Sequence, residues 1–125
     1  MPLHAKLFLI LGALSAAASV ALGAAAAHTL AERAAALQAW FHTALQYHQF
    51  HALGLLIAGL IAAHLPTSRW IIAAGTLMVV GTLLFSGNLY LRSLADFHAL
   101  HALTPFGGGA FILAWLALAI GVLKK

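Results

Sequence analysis

The stretch Gln46-Tyr47-His48-Gln49-Phe50-His51-Ala52-Leu53 decides how the chain folds, because it opens a segment that has to cross a membrane. Only the twelve positions 52–63 are uninterrupted apolar residues or glycine, whereas a transmembrane helix needs about 20 residues. His64, Pro66 and the polar residues at 67–69 end this run. The helix must therefore begin near Leu45 and carry His51 roughly 9 Å into the membrane.

The two faces of this helix differ in kind. One face carries small and polar residues at helical spacing, namely Tyr47, His51, Gly54, Ala58 and Ala62. The opposite face carries the bulky residues Phe50, Leu53, Ile57 and either Leu60 or Ile61. A polar side chain inside a membrane needs a partner and faces other helices. We therefore expect His51 to lie at the centre of a binding site or of a structural hydrogen-bonded cluster.

The composition indicates a single-domain integral membrane protein whose first partner is the lipid bilayer. Of 125 residues, 64% are hydrophobic and 6% are charged, far from the composition of soluble domains. The six Lys and Arg residues flank apolar runs, so the net charge of +4 predicts no nucleic-acid partner. Cysteine is absent, and Glu32 and Asp96, the two acidic residues, lie outside the apolar runs. Thiol chemistry is therefore excluded, and a mechanism based on paired carboxylates is disfavoured.

The predicted fold is all-α: a four-helix antiparallel transmembrane bundle with four spans, at about 7–27, 45–64, 70–91 and 105–123. A short helix is expected over about 30–42, lying near the interface or running into the second span, and started by Thr29 as N-cap with Glu32 three residues later. Thr104 is expected to cap the last span, with Pro105 at its first helical position. On the first span, a small-residue stripe predicts close helix packing; it consists of Gly12, Ala16, Ser19 and Gly23.

Four spans put both termini on the side of the short connection at 64–69. That side holds Lys6, Arg69, Lys124 and Lys125, and the other side holds Arg33 and Arg92. Because Lys and Arg concentrate in cytoplasmic loops, we expect a multi-pass protein of the cell inner membrane with cytoplasmic termini.

The same topology brings the outer ends of the four spans to one level. The expected polar pocket consists of His28, Tyr47, His51, Ser86, Asn88 and Tyr90. Gly107 and Gly108 open the last span, where a missing side chain lets another backbone or a ligand approach closely. Asn88 is expected to find its partner across a helix interface.

Four segments carry a resemblance to a known family: 22–28, Tyr47 with 51–53, Leu84-Phe85-Ser86-Gly87-Asn88-Leu89-Tyr90, and 104–108 with Trp115. The chain resembles the YgdD-like small inner-membrane proteins, a domain of unknown function with mitochondrial relatives. The resemblance covers nearly the whole chain and implies a four-helix inner-membrane protein without an established activity. His48 and Asn88 depart from the family pattern, and His98-x-x-His101 does not belong to it.

Three functions compete at this point. Two histidine pairs, His48 with His51 and His98 with His101, have a spacing that can present imidazoles to a metal ion or haem; interfacial histidines in contact with water explain these pairs better. Transport of a small solute or protons by an oligomer would need a polar path, but the inner halves of the spans are apolar. A non-catalytic accessory, structural or assembly component, working as a homo-oligomer or in a larger membrane complex, fits best, with no cofactor and no enzyme activity.

Overall fold

Helices account for all regular structure in the computed structural model, which describes residues 1–125. The α-helices are α1 (Leu3–Thr29), α2 (Ala35–His64), α3 (Arg69–Gly81), α4 (Asn88–Leu94) and α5 (Thr104–Leu123). A π-helix, Thr82–Gly87, joins α3 to α4 without a break, and a short 3₁₀-helix, His101–Leu103, precedes α5. The all-α fold class is thereby confirmed.

α1 and α2 pack in opposite directions through glycines. A Cβ on Gly12 would lie 2.9 Å from Leu56 Cγ, and a Cβ on Gly59 would lie 2.9 Å from Leu9 Cγ. Each leucine therefore fills the space left by the glycine of the facing helix, as in small-residue helix contacts of membrane proteins. The close packing predicted for the α1 stripe is confirmed.

α3 and α5 form the second close pair. Gly121 receives the side chain of Ile71, with 2.5 Å between the position of a Cβ and Ile71 Cδ1, and Gly81 receives the ring of Phe111. The buried core lies where α2, α3 and α5 meet and includes Ala58, Met78 and Ala114. In α2 the predicted division into faces is confirmed except at Tyr47. The buried residues include His51, Gly54, Ala58 and Ala62, and Phe50, Leu53, Ile57 and Leu60 are exposed, but Tyr47, which was placed on the buried face, is 41% exposed.

Two predicted helix starts are corrected. Thr29 is the last residue of α1, and its hydroxyl donates to the carbonyl of Ala25 at 3.1 Å, so it does not cap α2. The next helix begins at Ala35 and continues to His64. No residue between 42 and 45 interrupts this alanine-rich stretch, so the helix expected over about 30–42 and the second span are one helix.

At α5, Thr104 is the first helical residue rather than a capping residue, and no side chain caps this end. The Thr104 hydroxyl oxygen is buried without a hydrogen-bond partner. Pro105 lies in the first turn, where the absence of its N–H is tolerated.

Three helical segments are long and apolar enough to cross a membrane: Leu3–Thr29, Arg69–Leu94 and His101–Leu123. α2 is longer than any of them, but Gln46, His48, Gln49 and His51 make its middle too polar for it to join them by composition. The polar residues in the stretch 46–51 thus distinguish α2 from the other long helices.

Candidate functional site

His51 lies at the interface between α2 and α5 with 4% of its surface exposed. Its Nδ1–H donates to the carbonyl oxygen of Tyr47 at 2.8 Å, and its Nε2 accepts the indole N–H of Trp115 at 3.0 Å. The imidazole also stacks on Phe111, with 3.5 Å between ring centroids and 9° between planes. Both nitrogens are satisfied in the neutral imidazole with its proton on Nδ1, so this residue holds α5 against α2.

His48 makes the corresponding connection on another side of α2. Its Nδ1 lies 2.8 Å from the hydroxyl of Tyr90 on α4, and its Nε2 lies 2.9 Å from the hydroxyl of Ser15 on α1. A neutral imidazole donates through one nitrogen and accepts through the other, and a hydroxyl can take either role. Three helices therefore meet in one hydrogen-bonded chain.

The π-helix brings Ser86 and Asn88 into the interior. Ser86 is fully buried, and its hydroxyl has no hydrogen-bond partner. The Asn88 amide nitrogen donates to the carbonyl of Leu84 at 3.0 Å, and its side-chain oxygen has no partner. The expectation that Asn88 bonds across a helix interface is therefore corrected, because a backbone carbonyl of its own helical segment is within reach. π-helical turns of this kind occur frequently at functional sites.

The hydrogen-bonded cluster around His48 and His51 does not include the other three predicted site histidines, which are His28, His98 and His101. His28 is exposed near the end of α1. His98 Nε2 lies 2.7 Å from a carboxylate oxygen of Asp96, and His101 Nδ1–H donates to the backbone carbonyl of His98 at 2.8 Å. The structure brings together no group of three or more His, Cys, Asp or Glu side chains suited to a metal ion. The pairs His48 with His51 and His98 with His101 thus share no common site.

The glycines at the start of α5 differ sharply in their surroundings. A Cβ on Gly107 would lie 2.5 Å from the backbone nitrogen of Phe85 and 2.8 Å from the carbonyl carbon of Leu84. A Cβ on Gly108 would only touch the Phe85 ring, at 3.7 Å, and one on Gly109 would meet nothing within 4 Å. Gly107 is therefore the point where the backbone of α5 rests against the π-helix.

A groove of about 630 Å³ lies beside this contact, between α2, α5 and the π-helix. Its aromatic lining consists of Tyr47, Phe50, Phe85, Phe111 and Trp115. Gln46 and Gln49 line the end nearer the start of α2, and Leu53 lines the apolar end, a helical turn beyond Gln49. The groove therefore changes from polar to apolar along the helix axis.

His51 lies further from the start of its helix than the sequence indicated. It is about 24 Å along α2 from Ala35, instead of roughly 9 Å from the start of a helix at Leu45. The difference arises because α2 begins ten residues before Leu45, at Ala35.

Sequence reasoning missed Ser15, Trp115 and the structural role of His48. Ser15 was detectable, because it lies at helical spacing from Gly12 and Ser19 and so faces the same neighbour. Trp115 carried a weaker signal, since a buried indole N–H normally finds an acceptor. Nothing local could have paired it with a histidine 64 positions away.

Comparisons with known proteins agree on one family. The family described as "Protein of unknown function (DUF423)" matches residues 22–108. The UPF0382 membrane protein YwdK of Bacillus subtilis (strain 168) is 43% identical over 121 residues, which cover 95% of this chain and 98% of the relative. The UPF0382 inner membrane protein YgdD of Escherichia coli (strain K12) is 35% identical over 121 residues, with 95% and 91% covered. No solved structure matches.

Proposed function

The chain belongs to the DUF423 family of membrane proteins, as its motifs predicted, and on this premise we propose that it is a non-catalytic accessory or assembly component of the inner membrane. In this proposal four antiparallel spans form a bundle, and a buried polar layer around His48 and His51 joins them. The name of the Escherichia coli relative, an inner membrane protein, supports the location.

One observation carries the proposal: the histidines of the polar layer use their ring nitrogens to hold helices together. His48 joins α2 to α1 and α4, and His51 joins α2 to α5. A general base or a metal ligand needs a nitrogen that is free to meet its substrate or ion. Imidazoles that are hydrogen-bonded at both nitrogens inside a membrane instead fix the arrangement of the helices.

The aromatic residues at the two ends of the bundle support a transmembrane position for α2. Trp40 packs against Arg92, and Trp70 packs against Lys124 with 5.5 Å from Nζ to the ring centroid. Tryptophans and basic residues favour the two membrane interfaces. From Trp70 to Arg92 the helical segment is about 33 Å long, close to the roughly 30 Å of a hydrocarbon core. From Trp40 to His64, α2 covers about 36 Å, enough to cross the same thickness.

The basic residues support cytoplasmic termini. Arg33 donates to the carbonyl of Ser93 at 3.1 Å and so lies at the same end as Arg92. The opposite end holds Lys6, Arg69, Lys124 and Lys125, and the cytoplasmic side is the more basic one. A cysteine introduced at Lys125 of this cysteine-free chain should react with a membrane-impermeant maleimide only after permeabilisation; labelling in intact cells would reverse the orientation.

The outer faces of the helices support contact with lipid and with other membrane proteins. α1 buries the smallest share of the three apolar segments, and its exposed residues include Ile10, Leu14 and Val20. Such a face is free for a second copy or another subunit. Isolation in a mild detergent followed by mass spectrometry should recover stoichiometric partners or an oligomer; recovery of the single chain alone would overturn the accessory role.

A double-mutant cycle tests the structural role of His51. Trp115→Phe keeps an aromatic ring and removes the N–H donor, and His51→Leu removes the acceptor. Each should lower the free energy of unfolding, and the cycle should give a coupling of about 0.6–1.7 kcal/mol, the range of hydrogen bonds inside membranes. Additive losses would show that the hydrogen bond does not stabilise the bundle.

A further inference from the structure

The groove between α2 and α5 carries polar groups that the bundle itself does not use. Gln46, Tyr47 and Gln49 line it, and neither amide side chain nor the Tyr47 hydroxyl makes a hydrogen bond to the rest of the chain. Gln46 lies about 9 Å and Gln49 about 13 Å along α2 from Trp40, within the outer half of the proposed membrane position. Unpaired polar groups at that depth are costly, so a polar ligand that enters the groove would satisfy them.

The shape and lining of the groove indicate what such a ligand looks like. Its volume of about 630 Å³ lies within the 300–1,000 Å³ of typical small-molecule sites. The exposed rings of Phe50 and Tyr47 and the side chains of Phe85 and Trp115 form an aromatic wall, which favours a flat ring by stacking. Toward Leu53 the lining is apolar and open to lipid, as an aliphatic tail requires.

The absence of charged side chains in the groove restricts which membrane-soluble molecules fit it. None of its lining residues is Lys, Arg, Asp or Glu, so the phosphate of a phospholipid would find no cation there. The free groups are two primary amides and one phenol, all of which can donate hydrogen bonds. A neutral ring with carbonyl oxygens finds hydrogen-bond donors here, whereas a charged head group finds no side chain of opposite charge.

We propose that the groove formed by Gln46, Tyr47, Gln49 and the surrounding aromatic residues binds a lipid-soluble quinone, a neutral ring with carbonyl oxygens and an apolar tail. The carbonyl oxygens accept hydrogen bonds from the glutamine amides and the Tyr47 hydroxyl, the ring lies against the aromatic wall, and the tail leaves past Leu53 into lipid. The inference rests on the membrane position of α2 proposed above and involves binding only.

The test uses the full chain in lipid nanodiscs with Trp40→Phe and Trp70→Phe, so that Trp115 is the only tryptophan. Decylubiquinone is the probe, because quinones quench indole fluorescence at short range. Quenching of Trp115 should saturate. In a matched protein that keeps only Trp70, which lies outside the groove, quenching should rise linearly with quinone. Linear quenching of Trp115, equal to that of Trp70, would overturn the proposal.

Two neighbouring glycines supply a matched pair of variants. Gly108 lines the groove, so Gly108→Leu places a side chain where the ring would lie and should raise the half-saturating quinone concentration by about tenfold or more, equivalent to a lost 1.4 kcal/mol. Gly109→Leu makes the same exchange in the same helical turn but into open space, and it should bind as the parent does. Equal affinities of the two variants would refute the site.

A third variant separates hydrogen bonding from shape. Gln49→Leu keeps the size of the side chain and should weaken binding by about fivefold, the effect of one hydrogen bond of about 1 kcal/mol. Unchanged binding would show that this amide does not bind the quinone.

Nanodiscs with brominated acyl chains test the premise that this layer of the protein lies inside the membrane. If they leave Trp115 unquenched, the membrane position of this layer fails, whereas quenching by them without a saturable quinone effect overturns the ligand alone.

Discussion

Gly107→Ala should destabilise the bundle although it replaces a poor helix former with a good one. The added Cβ would lie 2.5 Å from the backbone nitrogen of Phe85, whereas non-bonded carbon contacts are optimal at about 3.5–4.0 Å. The obstacle is backbone, so no side chain can rotate away. The first turn of α5 must therefore move about 1 Å from the π-helix, and the packing around the groove must follow it.

The magnitude follows from two opposing effects. Overpacking costs about 1–3 kcal/mol, and the higher helix propensity of alanine returns about 0.5–1 kcal/mol. We expect Gly107→Ala to lose up to about 2.5 kcal/mol in the free energy of unfolding, and about 1–3 kcal/mol relative to Gly109→Ala. Gly109→Ala gains the same propensity and meets no atom within 4 Å, so it should be stabilised by about 0.5–1 kcal/mol.

Unfolding of the purified full chain in mixed micelles of dodecyl maltoside and increasing SDS provides the measurement, followed by far-ultraviolet circular dichroism. The two variants share residue type, helix and turn, so their difference isolates the contact with Phe85. If Gly107→Ala proves as stable as Gly109→Ala, α5 does not rest on the backbone of the π-helix and the arrangement of this end of the bundle is wrong.

Two further predictions use the same unfolding measurement. Gly75→Ala places a Cβ against the ring of the buried Phe8 and should cost about 1–3 kcal/mol; Phe8→Leu in the same chain should recover some of that loss, and strictly additive losses would contradict the contact. Tyr90→Phe removes the hydroxyl that bonds His48 and should cost about 0.6–1.7 kcal/mol, whereas Tyr47→Phe removes a hydroxyl without a partner in the chain and should leave stability unchanged. Equal losses in the two tyrosine variants would show that the His48 hydrogen bond contributes nothing.

The local pattern was sufficient to predict the features that depend on one helix at a time. The alternation of bulky and small residues along α2 identified its buried face, and the glycine stripe of α1 identified its packing face, because both follow directly from helical periodicity. The predicted start of α2 was wrong, because Thr29 and Glu32 match a capping motif whereas the helix begins at Ala35. Alanine-rich sequence gives no sharp boundary, since every position favours the helix.

The sequence did not predict the features that depend on how the helices are aligned with one another. His48 resembled half of a metal pair because His51 is three residues away, but the two rings point to different helices and find Tyr90 and Trp115 there. The sequence did not indicate the π-helix either, since Thr82–Gly87 has the composition of an ordinary membrane helix. Such turns are rare and occur mostly as single turns inside α-helices, so composition alone does not predict them.

The polar residues of α2 divide into two sets with different consequences. His48 and His51 are buried and bonded within the bundle, so their replacement should reduce stability. Gln46 and Gln49 are exposed in the groove and bonded to nothing in the chain, so their replacement by leucine should leave stability unchanged or raise it, because apolar side chains suit that depth better. The stability of the helix alone does not account for two such amides. Their position beside free aromatic surface is therefore the strongest reason to look for a ligand in this groove, and variants of the two sets separate a structural role of α2 from a binding role.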